Sequence, residues 1–166
     1  MRWRFLNLGA VFYIFMTNEL EVDGERKRWL AVLARASGTE LEASVARQQP
    51  MPTAQMVRPP EIGMVMLRGR VGGTGDAFNL GEATVTRCAL RLAGALGVGY
   101  TLGRDRHKAE LIALLDALLQ DGGRRDRLLR EVIEPLQRRQ AGLRDAVSGA
   151  ASSSRVEFFT MVRGDA

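Results

Sequence analysis

Two stretches of alternating side chains flank the glycine-rich turn GGTGD (Gly72–Asp76), and this arrangement leaves the chain few folding options. Upstream, over Gly63–Val71, Val65, Leu67 and Val71 fall on one side. Met64, Met66, Arg68 and Arg70 fall on the other. Downstream, Phe78–Leu80 begins a return that continues through Glu82–Leu92. There Thr84, Thr86, Cys88, Leu90 and Leu92 alternate with Val85, Arg87, Ala89 and Arg91. A period of two is the signature of a strand, and a short glycine turn joins such strands into an antiparallel hairpin. A second turn at Gly94–Gly97 leads to a third strand, Val98–Leu102, so the centre of the chain reads as a meander.

Helical periodicity surrounds it. Glu21–Ala36 sets Trp29, Leu30, Val32 and Leu33 against the charged run Glu25–Arg28, and Gly38 closes that helix. Thr39 with Glu42 three residues on reads as the capping box of a short second helix, with Leu41 and Val45 facing a core. Gln48–Pro60 carries four of the five prolines and reads as a linker, with a short edge strand at Gln55–Arg58. Arg106–Gln120 buries a leucine stripe (Leu111, Leu114, Leu115, Leu118) and ends at Asp121–Gly123, where glycine tolerates a left-handed cap. Gly123–Glu134 follows, Pro135 breaks or restarts it, and Leu136–Val147 continues. Arg155–Val162 is a last strand, apolar on both faces and suited to a covered or subunit-interface position. The fold class is α+β: N-terminal helices, then an antiparallel sheet of the meander plus the C-terminal strand, covered by helices.

With 166 residues, one domain over 17–166 is expected, preceded by the apolar lead Met1–Met16. That lead lacks a small-residue cleavage site and is too short to span a bilayer. It reads as a start codon placed too early, a partner-binding extension or a membrane-associated segment. A single cysteine, Cys88, excludes a disulfide framework and a thiol-based metal site, and fits a reducing cytoplasm. His107, the lone histidine, excludes a multi-histidine metal site within the chain.

The formal charge of +5 is nearly all arginine, since Lys27 and Lys108 are the only lysines. Arginine suits phosphate and carboxylate, but scattered arginines also follow from a GC-rich genome. The better-placed candidates for anion or partner contact are Arg68, Arg70, Arg87 and Arg104, with the backbone of Gly72, Gly73, Thr74 and Gly75. If the hairpin register allows, Arg68, Arg70, Arg87 and Arg91 share one sheet face. The GGTG turn lacks the Gly-Lys-Ser/Thr of a phosphate-binding loop and serves equally as a plain hairpin turn. Asp105 is an N-cap candidate, and His107 and Glu110 are further polar candidates. Trp29, Phe158, Phe159 and Met161 are interface candidates. Arginines without interleaved aromatics give no nucleic-acid motif.

RGRVGGTGDAF with EATVTR, GYTLGRDRHKAELIALLDALLQ and RVEFFTMVRGD together resemble the PhnG family, the G subunit of the bacterial carbon–phosphorus lyase core complex, from about Arg28 to Asp165. The resemblance implies a subunit that supports formation of alpha-D-ribose 1-methylphosphonate 5-triphosphate from ATP and methylphosphonate, with release of adenine. It implies partnership with the H, I and J subunits, closest to the I subunit. It implies ATP as a substrate of the complex, no cofactor or metal in this chain and no catalytic residue of its own. The family pattern Gly-Arg-Asp, two residues, His-Ala-Glu is broken here. Lys108 stands in the histidine place and His107 precedes it. A stand-alone phosphate- or nucleotide-binding enzyme and a nucleic-acid adaptor are the alternative readings.

Overall fold

The computed structural model describes residues 24–71 and 74–153. The expected strand Arg155–Val162 and the lead Met1–Met16 lie outside those residues. Helices α1 (Gly24–Arg35) and α2 (Gly38–Ala46) precede strands β1 (Ala54–Arg70), β2 (Ala77–Leu92) and β3 (Ala95–Leu102). Helices α3 (Arg106–Leu119) and α4 (Gly122–Leu128), a π-helical turn (Leu129–Ile133) and helix α5 (Glu134–Ser153) follow. The sheet is antiparallel in the order β1-β2-β3, the expected meander within an α+β fold.

The core lies between one sheet face and the helices. Cys88, Leu90 and Leu92 of β2 meet Trp29, Leu30 and Leu33 of α1, Leu41 of α2, and Ile112, Leu115 and Leu119 of α3. The seat of α3 on the sheet is set by small residues. A Cβ built on Gly97 would lie 2.0 Å from the Ala113 carbonyl oxygen, and one on Gly99 would lie 1.8 Å from that of Ala109. Glycine at these two β3 positions, facing Ala109, Ala113 and Ala117 one turn apart, lets the helix backbone rest on the strand backbone.

A buried carboxylate locks that contact. Asp116 of α3, fully buried, accepts from Arg26 Nε at 3.1 Å and Nη2 at 2.7 Å, from Trp29 Nε1 at 2.8 Å and from the Val98 backbone N–H at 2.9 Å. Arg26 Nη2 and Gln120 Nε2 both also donate to the Leu96 carbonyl at 2.9 Å. Three elements thus meet on one side chain, and among the described residues no buried side-chain nitrogen or oxygen lacks a partner. Removing one member of such a pair typically costs about 3–5 kcal/mol, because the other charge stays buried and unpaired.

Several local expectations shift. The edge strand expected at Gln55–Arg58 is present as the start of β1, which begins at Ala54 and runs without a break through the rest of the expected linker. Pro59 and Pro60 are tolerated because β1 is an edge strand and its register slips between Arg58 and Glu61, where no ladder donor is required. The second turn is Ala93–Gly94, with both residues left-handed (φ 47° and 90°), as a two-residue hairpin turn needs, so β3 begins at Ala95. The capping box of α2 is Ser37 with Glu40 rather than Thr39 with Glu42, since Ser37 is the residue in extended geometry before the helix. Asp121 N-caps α4 by accepting from Gly123 N–H, and neither glycine after it is left-handed. Pro135 neither breaks nor restarts the helix. The π turn before it widens the spiral where the proline ring would press on the preceding turn, and α5 continues.

Gly99→Val should therefore destabilise the chain by about 3 kcal/mol or more, because the whole of α3 must lift off β3. Urea unfolding monitored by Trp29 fluorescence checks it. A valine variant of unchanged midpoint would show that the close approach is not required.

Candidate functional site

β3 pairs with β2 only from Leu92↔Ala95 to Val85↔Leu102, whereas β1 and β2 stay paired as far as Arg70↔Ala77. Met64–Arg70 and Ala77–Thr84 therefore project as a two-stranded arm. The helical cover stops at its base. Gly103 N–H donates to the Thr84 carbonyl at 2.9 Å, and Thr86 Oγ1 donates to the Gly103 carbonyl at 2.7 Å. The chain thus leaves the sheet level with Thr84 and Thr86. From there α3 runs back over β3, with Ala109 beside Gly99 and Ala117 beside Gly97.

The register shows which side chains this leaves open. Ile62 pairs with Thr86 and Met64 with Thr84, so Ile62, Met64 and Met66 share the helix-facing side of the sheet. Yet Met64 is 66% exposed, and Ile62 and Met66 are over two-fifths exposed. Val71, Phe78 and Leu80 are exposed on the same arm. On the reverse face Val65 and Val85 are buried, and the Phe78 ring lies over Gly69, whose Cβ would meet it at 3.3 Å.

The same register parts the arginines. Arg68 and Arg70 continue the Ile62–Met64–Met66 row, while Arg87, opposite Glu61, and Arg91, opposite Gln55, lie on the other face. The four do not gather on one face. Arg87 is neutralised by Glu61 at 3.1 Å, and Arg58 shares that carboxylate at 3.5 Å. Arg70 Nη1 donates to the Gly75 carbonyl at 3.2 Å. The side chains of Arg68 and Arg104 have no hydrogen-bond or ion-pair partner among the described residues. The first hairpin loop is closed by Val71 N–H on the Asp76 carbonyl, and Gly75 N–H donates to the Val71 carbonyl at 2.8 Å. That amide is engaged within the turn. Thr74 is exposed, and Gly72 and Gly73 lie outside the described residues.

The remaining candidates have structural partners. Asp105 caps α3 by accepting from Lys108 N–H at 2.9 Å. His107 Nε2 lies 3.0 Å from Glu42 on the surface. Glu110 is half-buried beside Cys88, whose thiol is pushed up to about 11, by burial first and by the Glu110 charge second. A thiol so shifted is an inert core group. Trp29 is buried within the chain: it is 2% exposed, its indole N–H is held by Asp116, and Arg125 stacks 5.8 Å from its ring centroid. Phe158, Phe159 and Met161 lie outside the described residues. Asp116 is not among the residues that motif or strand pattern singles out. The signal was an acidic residue inside the apolar run LIALLDALL, with glutamine one turn later.

Residues 24–164 match the family described as phosphonate metabolism protein PhnG. The chain belongs to the PhnG family. It is 41% identical over 146 residues to a curated protein of Rhizobium meliloti (strain 1021), spanning 85% of this chain and 90% of that one. The relative is named alpha-D-ribose 1-methylphosphonate 5-triphosphate synthase subunit PhnG.

Within this PhnG chain, the lysine in the family's histidine place has a structural occupation. Lys108 Nζ donates to the Ala34 carbonyl at 2.9 Å, so the ammonium caps the C-terminal end of α1. Burial lowers its pKa, against the opposing pull of Asp105 and Glu40. Glu40 closes the adjoining corner. Its carboxylate accepts from Ser37 N–H and Oγ, both at 2.8 Å, and pairs with Arg139 of α5. Those bonds, the Ser37 backbone one foremost, hold the Glu40 carboxyl below its ordinary value. A carboxyl depressed by folding contributes stability that is complete above its unfolded pKa and is lost as pH falls through the folded one. The stability difference between wild type and Glu40→Gln should hence be constant above about pH 5 and shrink as the solution is acidified. Chemical unfolding across pH 2.5–7 checks it, roughly bracketing the carboxylate range. A difference that stays constant to the acid end would contradict the assignment.

Proposed function

We propose that this chain is a non-catalytic core subunit of an alpha-D-ribose 1-methylphosphonate 5-triphosphate synthase, within a carbon–phosphorus lyase complex of phosphonate catabolism. The 41% identity along nearly the whole length of a protein bearing that subunit name carries the reading. In it, ATP and methylphosphonate are substrates of the assembly, adenine is released, and the chain holds no cofactor of its own. The H, I and J subunits are its partners, the I subunit nearest, in the cytoplasm.

The geometry favours a supporting role. Asp105, His107 and Lys108 are engaged as a cap, a surface pair and a helix-end contact, and Cys88 is buried. What the chain offers outward is a sheet arm with apolar and arginine side chains. Arg68 and Arg70 on that arm, together with Arg87, Arg104 and the GGTG turn, act as contacts to a companion subunit or to the anionic substrate it holds.

Co-expression with the H, I and J subunits, followed by size-exclusion chromatography, tests the reading. The expected result is one complex containing this chain. A separate, monodisperse monomer would contradict it, as would tight ATP binding by the isolated chain in calorimetry.

A further inference from the structure

Resting on the subunit reading, we infer that the helix-side row of the arm seats a companion subunit, whose docking surface is an apolar groove bordered at one end by carboxylates. The row consists of Ile62, Met64 and Met66, continued by Arg68 and Arg70.

These five residues stand on alternate positions of β1. At about 3.3 Å per residue they form a ridge of roughly 26 Å. The ridge continues the face that elsewhere is packed under α3. Its register partners at the base, Thr84 and Thr86, are half-buried and buried. Where an antiparallel sheet turns a face to water, that face ordinarily carries polar residues. Here the composition remains that of a core while the cover has ended. A two-stranded ribbon has little stability by itself, which makes a covering body the natural complement. Two of the three apolar members are methionine, whose flexible thioether fits grooves of varied shape.

Charge selects the occupant. The chain carries +5, Arg68 has no partner among the described residues, and Arg70 is held by one carbonyl. A two-fold pairing of identical ridges would set the guanidinium groups against each other if the ridges ran parallel, or against the apolar Ile62–Met64 end with no counter-charge if they ran antiparallel. A surface that presents carboxylates to Arg68 and Arg70 gains charge-assisted, forked hydrogen bonds instead. The docking uses this side-chain face rather than strand addition along all of β1, because Pro59 and Pro60 interrupt the edge below it.

The test uses two double variants, Met64→Glu/Met66→Glu and Arg68→Glu/Arg70→Glu, each co-expressed with the companion subunits. The altered side chains are exposed, so the isolated variants should melt within a few degrees of wild type. Association with the companions should weaken by about tenfold or more for each, and the wild-type complex should loosen with added salt. Undiminished assembly of both variants would overturn the proposal while leaving the subunit reading intact. A strongly lowered melting temperature of the isolated Met64→Glu/Met66→Glu chain would also overturn it, because the ridge would then be covered from within the same chain. So would wild-type self-association that this variant abolishes, which would make a second copy the occupant. If the wild-type chain itself fails to join the companions, the subunit reading falls and this proposal with it.

Discussion

The backbone of α3 lies directly on the backbone of β3, and the positions of the other elements follow from that contact. Gly97 and Gly99 remove the side chains that would hold the two apart, and Ala109, Ala113 and Ala117 do the same from the helix. Close approach alone fixes a distance, not an azimuth. Asp116 supplies the second constraint by collecting donors from α1, from β3 and from Gln120, the residue that caps the end of α3, into one buried carboxylate. The helix therefore has one seat, and α1 is pinned beside it through Arg26 and Trp29. Lys108 at the end of α1, and Glu40 with Arg139 at the α2–α5 corner, tie the remaining helices to the same frame.

Fixing α3 in that way also decides what stays uncovered. Its first turn begins where Gly103 leaves the sheet beside Thr84 and Thr86, so the cover cannot reach the distal hairpin. The strands continue regardless, because β1–β2 pairing is satisfied without β3. The arm is thus a consequence of unequal strand lengths, and its core-like row is a consequence of continued alternation. That uncompleted core face is the surface on which the proposed docking rests.

Much of this was legible in the residues. Alternation on both sides of GGTGD placed the meander, and the leucine stripe placed α3, with Asp105 as its cap. Leu41 and Val45 turned to the core as their spacing required. The family was legible in the motif segments, above all around RGRVGGTGDAF and GYTLGRD. Other features turn on partners remote in sequence. The edge strand at Gln55–Arg58 was legible, but Pro59 and Pro60 hid its continuity with Gly63–Arg70, because a slipped register cannot be read from one strand. The parting of Arg68 and Arg70 from Arg87 and Arg91 follows from which residue opposes which, a matter of pairing rather than pattern. The burial of Trp29 depends on Asp116, 87 residues away, which supplies its hydrogen-bond acceptor. The cap of α2 moved from Thr39 to Ser37 because backbone geometry, not hydroxyl identity, decides which of two nearby residues caps.

In the proposed assembly the arm becomes covered by a companion chain. Hydrogen–deuterium exchange over 62–70 and 77–84, compared between the isolated chain and the chain within its companion complex, addresses it most directly. Slower exchange along the arm on assembly, with little change at the β2–β3 turn around Ala93 and Gly94, is the predicted result. An arm that exchanges equally fast in both states, while protection arises elsewhere on the chain, would contradict the account.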